Sequence, residues 1–368
     1  MALLTALLPL STLPLVARAA PTAARVFSRQ SANTTTRSNS TSATVYDPND
    51  SPVTPFKLPL GSADTHVHLF NPQFPYAANR SYTPSNATLD QLREFTTQYS
   101  ADGNPIQVVL VQPSPYGKDN SALLDGLKRI KKQNWGIPRG IAVIDPAKVT
   151  DKELHDLHVA GVRGVRVNTE SAATSTSSEE NTALIKAAVD RIKHMEGWAV
   201  QVYVAPSIWR DSYDYFANLT TPIIADHYGG LKAVSTLTNN TSPSADSYDQ
   251  ALNQTGLAEL VELATSGSVY IKLSGVYRAS TFDSGYWADV APLTSHLAKS
   301  VPGRLIYASD WPHTGAGKDR AGRPLSVIEQ FRVVDQGKVL QSQYDAVNST
   351  SVWKRIMVSN PRKLYRFH

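Results

Sequence analysis

The chain's fold class is α/β: the sequence predicts a distorted (β/α)8 barrel of the TIM type, one domain behind a disordered N-terminal tail. Three observations carry that expectation. Eight short apolar runs recur between residues 63 and 309. Amphipathic stretches with helix start signals separate them, the pattern of repeated βα units. No G-x-G-x-x-G or Walker pattern follows any run, which argues against an open nucleotide-binding sheet.

Strands are expected at residues 63–70, 107–112, 140–144, 164–168, 199–204, 223–227, 269–274 and 305–309. Between them, Thr88-x-x-Gln91 and Thr150-x-x-Glu153 read as capping boxes, and Gly161 would close the second of these helices. A further helix is expected over 181–195, where Leu184, Ile185, Ala188, Val189 and Ile192 form one stripe. Residues 229–256 are long and polar for a strand-to-helix connection and carry three sequons, so a surface loop or lid margin is expected there.

The 368 residues suffice for one such barrel, with 41% apolar residues to fill it and only 18% charged. The net charge of +5 includes four arginines of the N-terminal tail, and the remaining Lys and Arg are scattered. No nucleic-acid footprint is read from them. Residues 20–55 are rich in Ser, Thr, Asn and Arg and poor in apolar groups, a composition that cannot bury enough surface to fold. The folded domain is therefore expected over 56–368.

Residues 1–19 resemble a signal peptide, an apolar stretch followed by Ala17-Arg18-Ala19, too short and Pro-interrupted for stable membrane insertion. No basic residue precedes that stretch and no acidic one occurs before Asp47, so a mitochondrial transit peptide is the alternative. Ten N-x-S/T sequons, at Asn33, Asn39, Asn49, Asn79, Asn86, Asn218, Asn239, Asn240, Asn253 and Asn348, favour a secreted glycoprotein carrying N-glycans. With no cysteine, disulfides, thiol catalysis and Cys-ligated metals are excluded. No feature specifies an oligomeric state.

Barrel chemistry gathers at the C-terminal ends of strands. His66 and His68 stand at alternate positions of the first strand, so their side chains leave one face. An H-x-H pair alone is ambiguous between a metal site, a carbonyl-binding site and buried structural histidines. His227 at the end of the sixth strand and Asp310 at the end of the eighth make it a constellation.

"DTHVHLF", "RGVRVN", "DHYG", "KLSGVYR", "SDWPH" and the terminal "NPRKLYRF" together resemble the amidohydrolase-related hydrolases, and within them the 2-pyrone-4,6-dicarboxylate lactonase branch. The resemblance covers about residues 57 to 368 and implies a distorted (β/α)8 barrel. Most amidohydrolases add a metal-binding histidine on strand five and a bridging lysine or acid on strand four. Here those strands offer Gln201 and Tyr203, and Arg166 and Asn168. The lactonase branch works without a metal, so no cofactor is favoured. If zinc is bound, its ligands would be His66, His68, His227 and Asp310.

The expected reaction is opening of a lactone or pyrone-like, carboxylated small molecule. Asp310 would take a proton from water while His66, His68 and His227 donate to the carbonyl oxygen. Arg166, whose fork matches a carboxylate, is the favoured anchor, ahead of Arg163 on the opposite strand face. The resemblance adds Arg278 as a second anchor and Tyr82, Ser114 and Tyr203 as substrate contacts. Lys272 alternates with apolar neighbours and would face inward. Trp311 and Pro312 would shape the turn after Asp310, while His313 would reach the mouth or cap the loop. Two other readings stand beside this one: a zinc-dependent decarboxylase or amide hydrolase of the same superfamily, and a non-catalytic secreted binding protein on the same barrel.

Overall fold

A computed structural model of the chain describes residues 54–170, 177–267, 269–320 and 322–367. The leader, all but the last two residues of the tail, and the sequons at Asn33, Asn39 and Asn49 lie outside the described residues. Eight strands stand in chain order around one parallel sheet. They are β1 (Ala63–Val67), β2 (Gln107–Val111), β3 (Arg139–Ala142), β4 (Val162–Asn168), β5 (Ala199–Tyr203), β6 (Ile223–Ala225), β7 (Val269–Leu273) and β8 (Leu305–Tyr307). The main helices are α1 (Leu89–Gln98), α2 (Ser121–Lys132), α3 (Asp151–Ala160), α4 (Ser178–Ile192), α5 (Leu257–Ser266), α6 (Ala291–Ser300) and α7 (Gln336–Val347). This is a (β/α)8 barrel.

Its distortion lies at the closure. β1 and β8 meet through a single parallel bridge, Val67 with Trp311. The His68 N–H donates to the Trp311 carbonyl at 2.9 Å and the Asp310 N–H to the His66 carbonyl at 3.0 Å. Side chains supply what the ladder lacks: Ser309 N–H donates to Asp64 Oδ1 at 2.9 Å and Thr65 Oγ1 to the Tyr307 carbonyl at 2.7 Å. The closure thus brings the histidines of the first strand against the aspartate of the last.

Outward strand residues such as Val108, Leu110, Val200, Ile223 and Ile271 pack beneath the helices in one continuous core. Each such aliphatic side chain contributes about 1.5–3 kcal/mol on burial. Inside the barrel, Ala63, Val109, Ile141, Ala199, Ile224 and Ile306 form an apolar floor with Leu364, Tyr365 and Phe367 of the C-terminal segment. Arg139 fastens this plug by donating to the carbonyls of Tyr365 and Arg366. The described polypeptide begins anchored: Thr54 donates through N–H and Oγ1 to Asp335 at 3.0 and 2.6 Å.

Both expected capping boxes form, and Gly161 closes α3 in a left-handed conformation, φ 111°. The α4 helix starts earlier than expected because Ser177 and Glu180 make a third capping box. The expected surface loop at 229–256 is largely exposed between residues 237 and 250 and packed against the barrel at its two ends. It contains the turns His227–Gly230, Val234–Thr238 and Ala245–Asn253, with Leu231, Ala233, Val234 and Ala251 buried. The seven described sequon asparagines, Asn79, Asn86, Asn218, Asn239, Asn240, Asn253 and Asn348, are all exposed. Among the described residues no helix is long and apolar enough to cross a membrane.

Candidate active site

Above the apolar floor, the inward positions turn polar. On β5, Ala199 gives way to Gln201 and Tyr203; on β6, Ile224 is followed two residues on by Asp226; on β7, Tyr270 by Lys272. Lys272 Nζ lies 3.2 Å from Asp226 Oδ1 and donates to Gln201 Oε1 at 2.7 Å, while Gln201 Nε2 donates to Asp226 Oδ2 at 2.8 Å. This closed triangle is wholly buried. Burial lowers the Lys272 ammonium to about 8, with Asp226 holding it up. Burial would raise the Asp226 carboxyl, but Lys272, His66 and His227 together outweigh it and hold the group well below the usual carboxylate range.

His66 and His68 stand directly above, their Nε2 atoms 3.2 Å apart. His68 Nδ1 is 2.8 Å from the Val111 carbonyl, which can only accept, so the His68 proton sits on Nδ1. The Nε2 contact then assigns the His66 proton to its Nε2, leaving His66 Nδ1 to accept from Lys272 Nζ at 3.3 Å, with Asp226 Oδ1 also 3.3 Å away and itself paired with Lys272. Burial, then the charge of Arg166, lowers His68 to about 4, and burial, then Lys272, lowers His66 well below its usual value. Both rings are neutral at neutral pH.

His227 leaves β6 in a left-handed turn, φ 49°, with Nδ1 2.9 Å from Ser274 Oγ and Tyr203 edge-on at 4.6 Å between ring centroids. Burial lowers it to about 3. Gly275, φ 55°, explains the glycine of "LSGVYR": a Cβ there would lie 3.0 Å from His227 Nδ1 and 3.1 Å from Asp310 Oδ2.

Asp310 sits at the centre, fully buried, in a left-handed conformation of φ 63° that its backbone bonding to β1 maintains. Its Oδ2 accepts from Arg278 Nε at 2.6 Å and from Tyr277 Oη at 2.8 Å. Its Oδ1 has no hydrogen-bond partner and lies 3.8 Å from the Nε2 of both His66 and His68. Burial opposes its ionisation, but Arg278 and the surrounding imidazoles hold the carboxyl far below its usual range. A second buried group nearby is also unpartnered: Arg166 Nε has no acceptor, being 3.9 Å from Asp226 Oδ2.

His68, Tyr82, Ser114, Arg166, Asn168, Tyr203, His227, Arg278 and Arg320 line the mouth. Arg320 covers it, stacked on the Tyr82 ring at 3.5 Å and bound to Glu329, and Ser114 is hydrogen-bonded to Tyr82. The remaining void is about 20 Å³, room for about one water. Of the residues expected at the site, Lys272 lies one layer below the mouth. Arg163 is not brought to it at all. It stands at the start of β4, on the strand face opposite Arg166, and donates to the carbonyls of His158 and Val162 at the floor end. His313 is packed behind Asp310, between Phe95 and Tyr277, and does not line the mouth. Sequence reasoning missed Asp226, Ser274, Tyr277 and Arg320. Asp226 had a signal, since a buried lysine requires a carboxylate partner.

His66 Nε2, His68 Nε2 and Asp310 Oδ1 also form a possible metal triad, all within 4.8 Å of one another. Ligand atoms bonded tetrahedrally to zinc at about 2.1 Å are about 3.4 Å apart, so their separations of 3.2 to 3.8 Å fit.

A (β/α)8 barrel with H-x-H leaving its first strand and an aspartate leaving its last defines the amidohydrolase class. The chain belongs to the amidohydrolase family, matching it over residues 63–367. It is 30% identical to a 4-sulfomuconolactone hydrolase from Rhizobium radiobacter, over 84% of this chain and 91% of that protein. It is 28% identical to a 2-pyrone-4,6-dicarboxylate hydrolase from Comamonas testosteroni, over 84% and 92%. It is also similar to a Pseudomonas putida crystal structure provisionally assigned as a 2-pyrone-4,6-dicarboxylic acid hydrolase. There the TM-score is 0.59 and the identity 26%, over 84% of this chain and 99% of that one.

Proposed function

We propose that the protein hydrolyses a cyclic ester, a lactone or pyrone-like ring bearing an anionic group, with Asp310 as the general base. One observation carries the reading: a buried acceptor without a donor, Asp310 Oδ1, and a buried donor without an acceptor, Arg166 Nε, belong to the same closed site. Each costs about 1–3 kcal/mol while unpaired. A water donating to Oδ1 and an anionic or carbonyl oxygen accepting from Arg166 satisfy both. The two hydrolases named above act on rings of this kind, which supports the substrate class.

In the reaction the water oxygen bonds to the ester carbon as Asp310 takes its proton. The oxyanion accepts N–H bonds from His66 Nε2, turned from His68 to the substrate, and from Arg166. The ring C–O bond then breaks, and the departing oxygen, stabilised as an enolate, recovers the proton from Asp310. Neutral imidazoles suit this task because they donate without adding charge.

Charge balance favours doing this without a metal. Arg278 pairs with Asp310, Lys272 with Asp226 below and Arg320 with Glu329 at the rim, while Arg166 lies 3.9 Å from Asp226. Arg166 is thus the cation left for an anionic substrate, whereas a dication would share Asp310 with Arg278. His66, His68 and Asp310 would hold a zinc ion if one is bound, and it would supply Lewis acidity toward the carbonyl. Arg278 is tied to Asp310 itself, so its role extends from anchoring to holding the base.

A panel of pyrone, aromatic-derived and sugar lactones, assayed before and after prolonged chelation, tests the proposal. Turnover of carboxylated lactones should survive chelation, and Arg166→Met should raise their KM about tenfold. No turnover of any lactone, or loss on chelation restored by zinc, would overturn the metal-free reading. The leader, the sequon number and the exposed sequon asparagines support secretion as a glycoprotein. A mass shift of the secreted chain on enzymatic deglycosylation checks it.

A further inference from the structure

A large groove lies outside the barrel. It runs between α2 and α3 with a volume of about 1000 Å³, extending from Asn120 and Ile144 at the mouth end of the barrel to Gly136–Pro138 at its floor. Its cause is local. The outward positions of β3 are Gly140 and Ala142, small enough for α2 to settle directly on the strand. Against Gly140 a Cβ would lie only 3.1 Å from Leu127 and 3.3 Å from Leu123, so α2 is drawn down onto the strand. On the other side, Arg191 of α4 donates to the Val149 carbonyl and to Asp151, tying the start of α3 away from α2.

The groove is apolar along its wall, with Lys118, paired to Asp145, and the exposed Lys148 at its upper end and a larger cluster of cations at its lower end. Leu124, Ile144 and Val149 are half-buried along its wall. At the floor end, Lys128 and Lys131 of α2 are exposed one helical turn apart, and Arg139 and Arg163 join them in the lining. Among the described residues both arginines hydrogen-bond only to backbone carbonyls and pair with no carboxylate. The acidic lining residues are engaged elsewhere: Asp145 pairs with Lys118 at 2.7 Å, Asp156 with Lys152 at 2.6 Å, and Glu153 caps α3.

We propose that this groove binds a free single-chain amphiphile with an anionic head, of the long-chain carboxylate class. Its chain lies along Leu124, Ile144 and Val149 and its head among Lys128, Lys131 and Arg163. The volume is at the upper end for a small-molecule site, and an elongated apolar trough with its cations concentrated at one end matches an elongated molecule with one anionic end. The site is independent of the barrel mouth, on the outer wall.

The test is calorimetric titration of the whole protein with dodecanoate below its micellar concentration, with dodecyltrimethylammonium and anionic phospholipid vesicles as comparison probes. Saturable one-to-one dodecanoate binding is expected, weakened at least about tenfold by K128E/K131E and abolished by Val149→Trp. Lactone turnover should be unchanged in both variants, whose positions are remote from the mouth. Four results would overturn the proposal: no saturable dodecanoate binding, equal binding of the cationic probe, binding that the variants leave intact or a lactone displaces, or binding to vesicles alone.

Discussion

The lower and upper halves of the barrel interior are built from the same strands by opposite rules. Ile224 and Asp226 lie two residues apart on one line, as do Tyr270 and Lys272, and Ala199 and Gln201. The lower member of each pair meets the C-terminal plug of Leu364, Tyr365 and Phe367; the upper meets other polar groups. The outward faces, apolar at both levels, already secure the wall. The inner face is therefore free to be spent on chemistry wherever polar groups can satisfy one another. The lower half gains stability from burial alone, and the upper half is stable only as a complete network.

The largest expected effect breaks that network. Lys272→Met leaves Asp226 charged and buried without its cation, which should cost about 3–5 kcal/mol, read as a drop in the urea midpoint at unchanged m. A loss under 1 kcal/mol would mean that the two halves do not differ as argued.

Acid should separate them next. His68 and His313 at about 4 and His227 at about 3 are neutral when folded, whereas in the unfolded chain they titrate near 6.5. Their contribution is complete above about pH 6.5 and is lost as pH falls toward 4, because the unfolded chain binds protons first. Asp64, raised to about 6 by burial, runs the other way, gaining stability as pH falls from 6 toward 4. With His66, also held neutral by burial, four groups against one give a net loss, so Tm should fall between pH 7 and 4.5. A flat or rising Tm across that window would contradict the network description.

The smallest effect belongs to the floor. Ile224→Val should cost about 1 kcal/mol and leave kcat and KM of lactone turnover unchanged. A change in kcat would show that the floor is coupled to the mouth.

The wall was legible in the sequence because strands buried on both faces announce themselves as apolar runs, and the helix starts because capping boxes are local. His66, His68, His227 and Asp310 were legible as polar side chains at strand ends. Arg163 is not at the site because it stands at the start of β4, at the floor end and on the strand face opposite Arg166, a placement that alternation already indicated. Tyr277 was passed over because it lies beyond β7, in the short helix Val276–Ala279, where strand alternation no longer applies. The grooved outer wall was illegible for a different reason: it depends on two small residues of β3 and on how far apart two helices settle.

The central claim is that the free oxygen of Asp310 activates the water. Asp310→Asn keeps the size and the bonds to Tyr277 and the backbone while removing the base. Measured on a lactone that the wild-type protein turns over, with folding verified by an unchanged near-UV spectrum, kcat should fall by about 10²–10⁴ while KM stays within a few-fold. A kcat within tenfold of wild type would contradict the account.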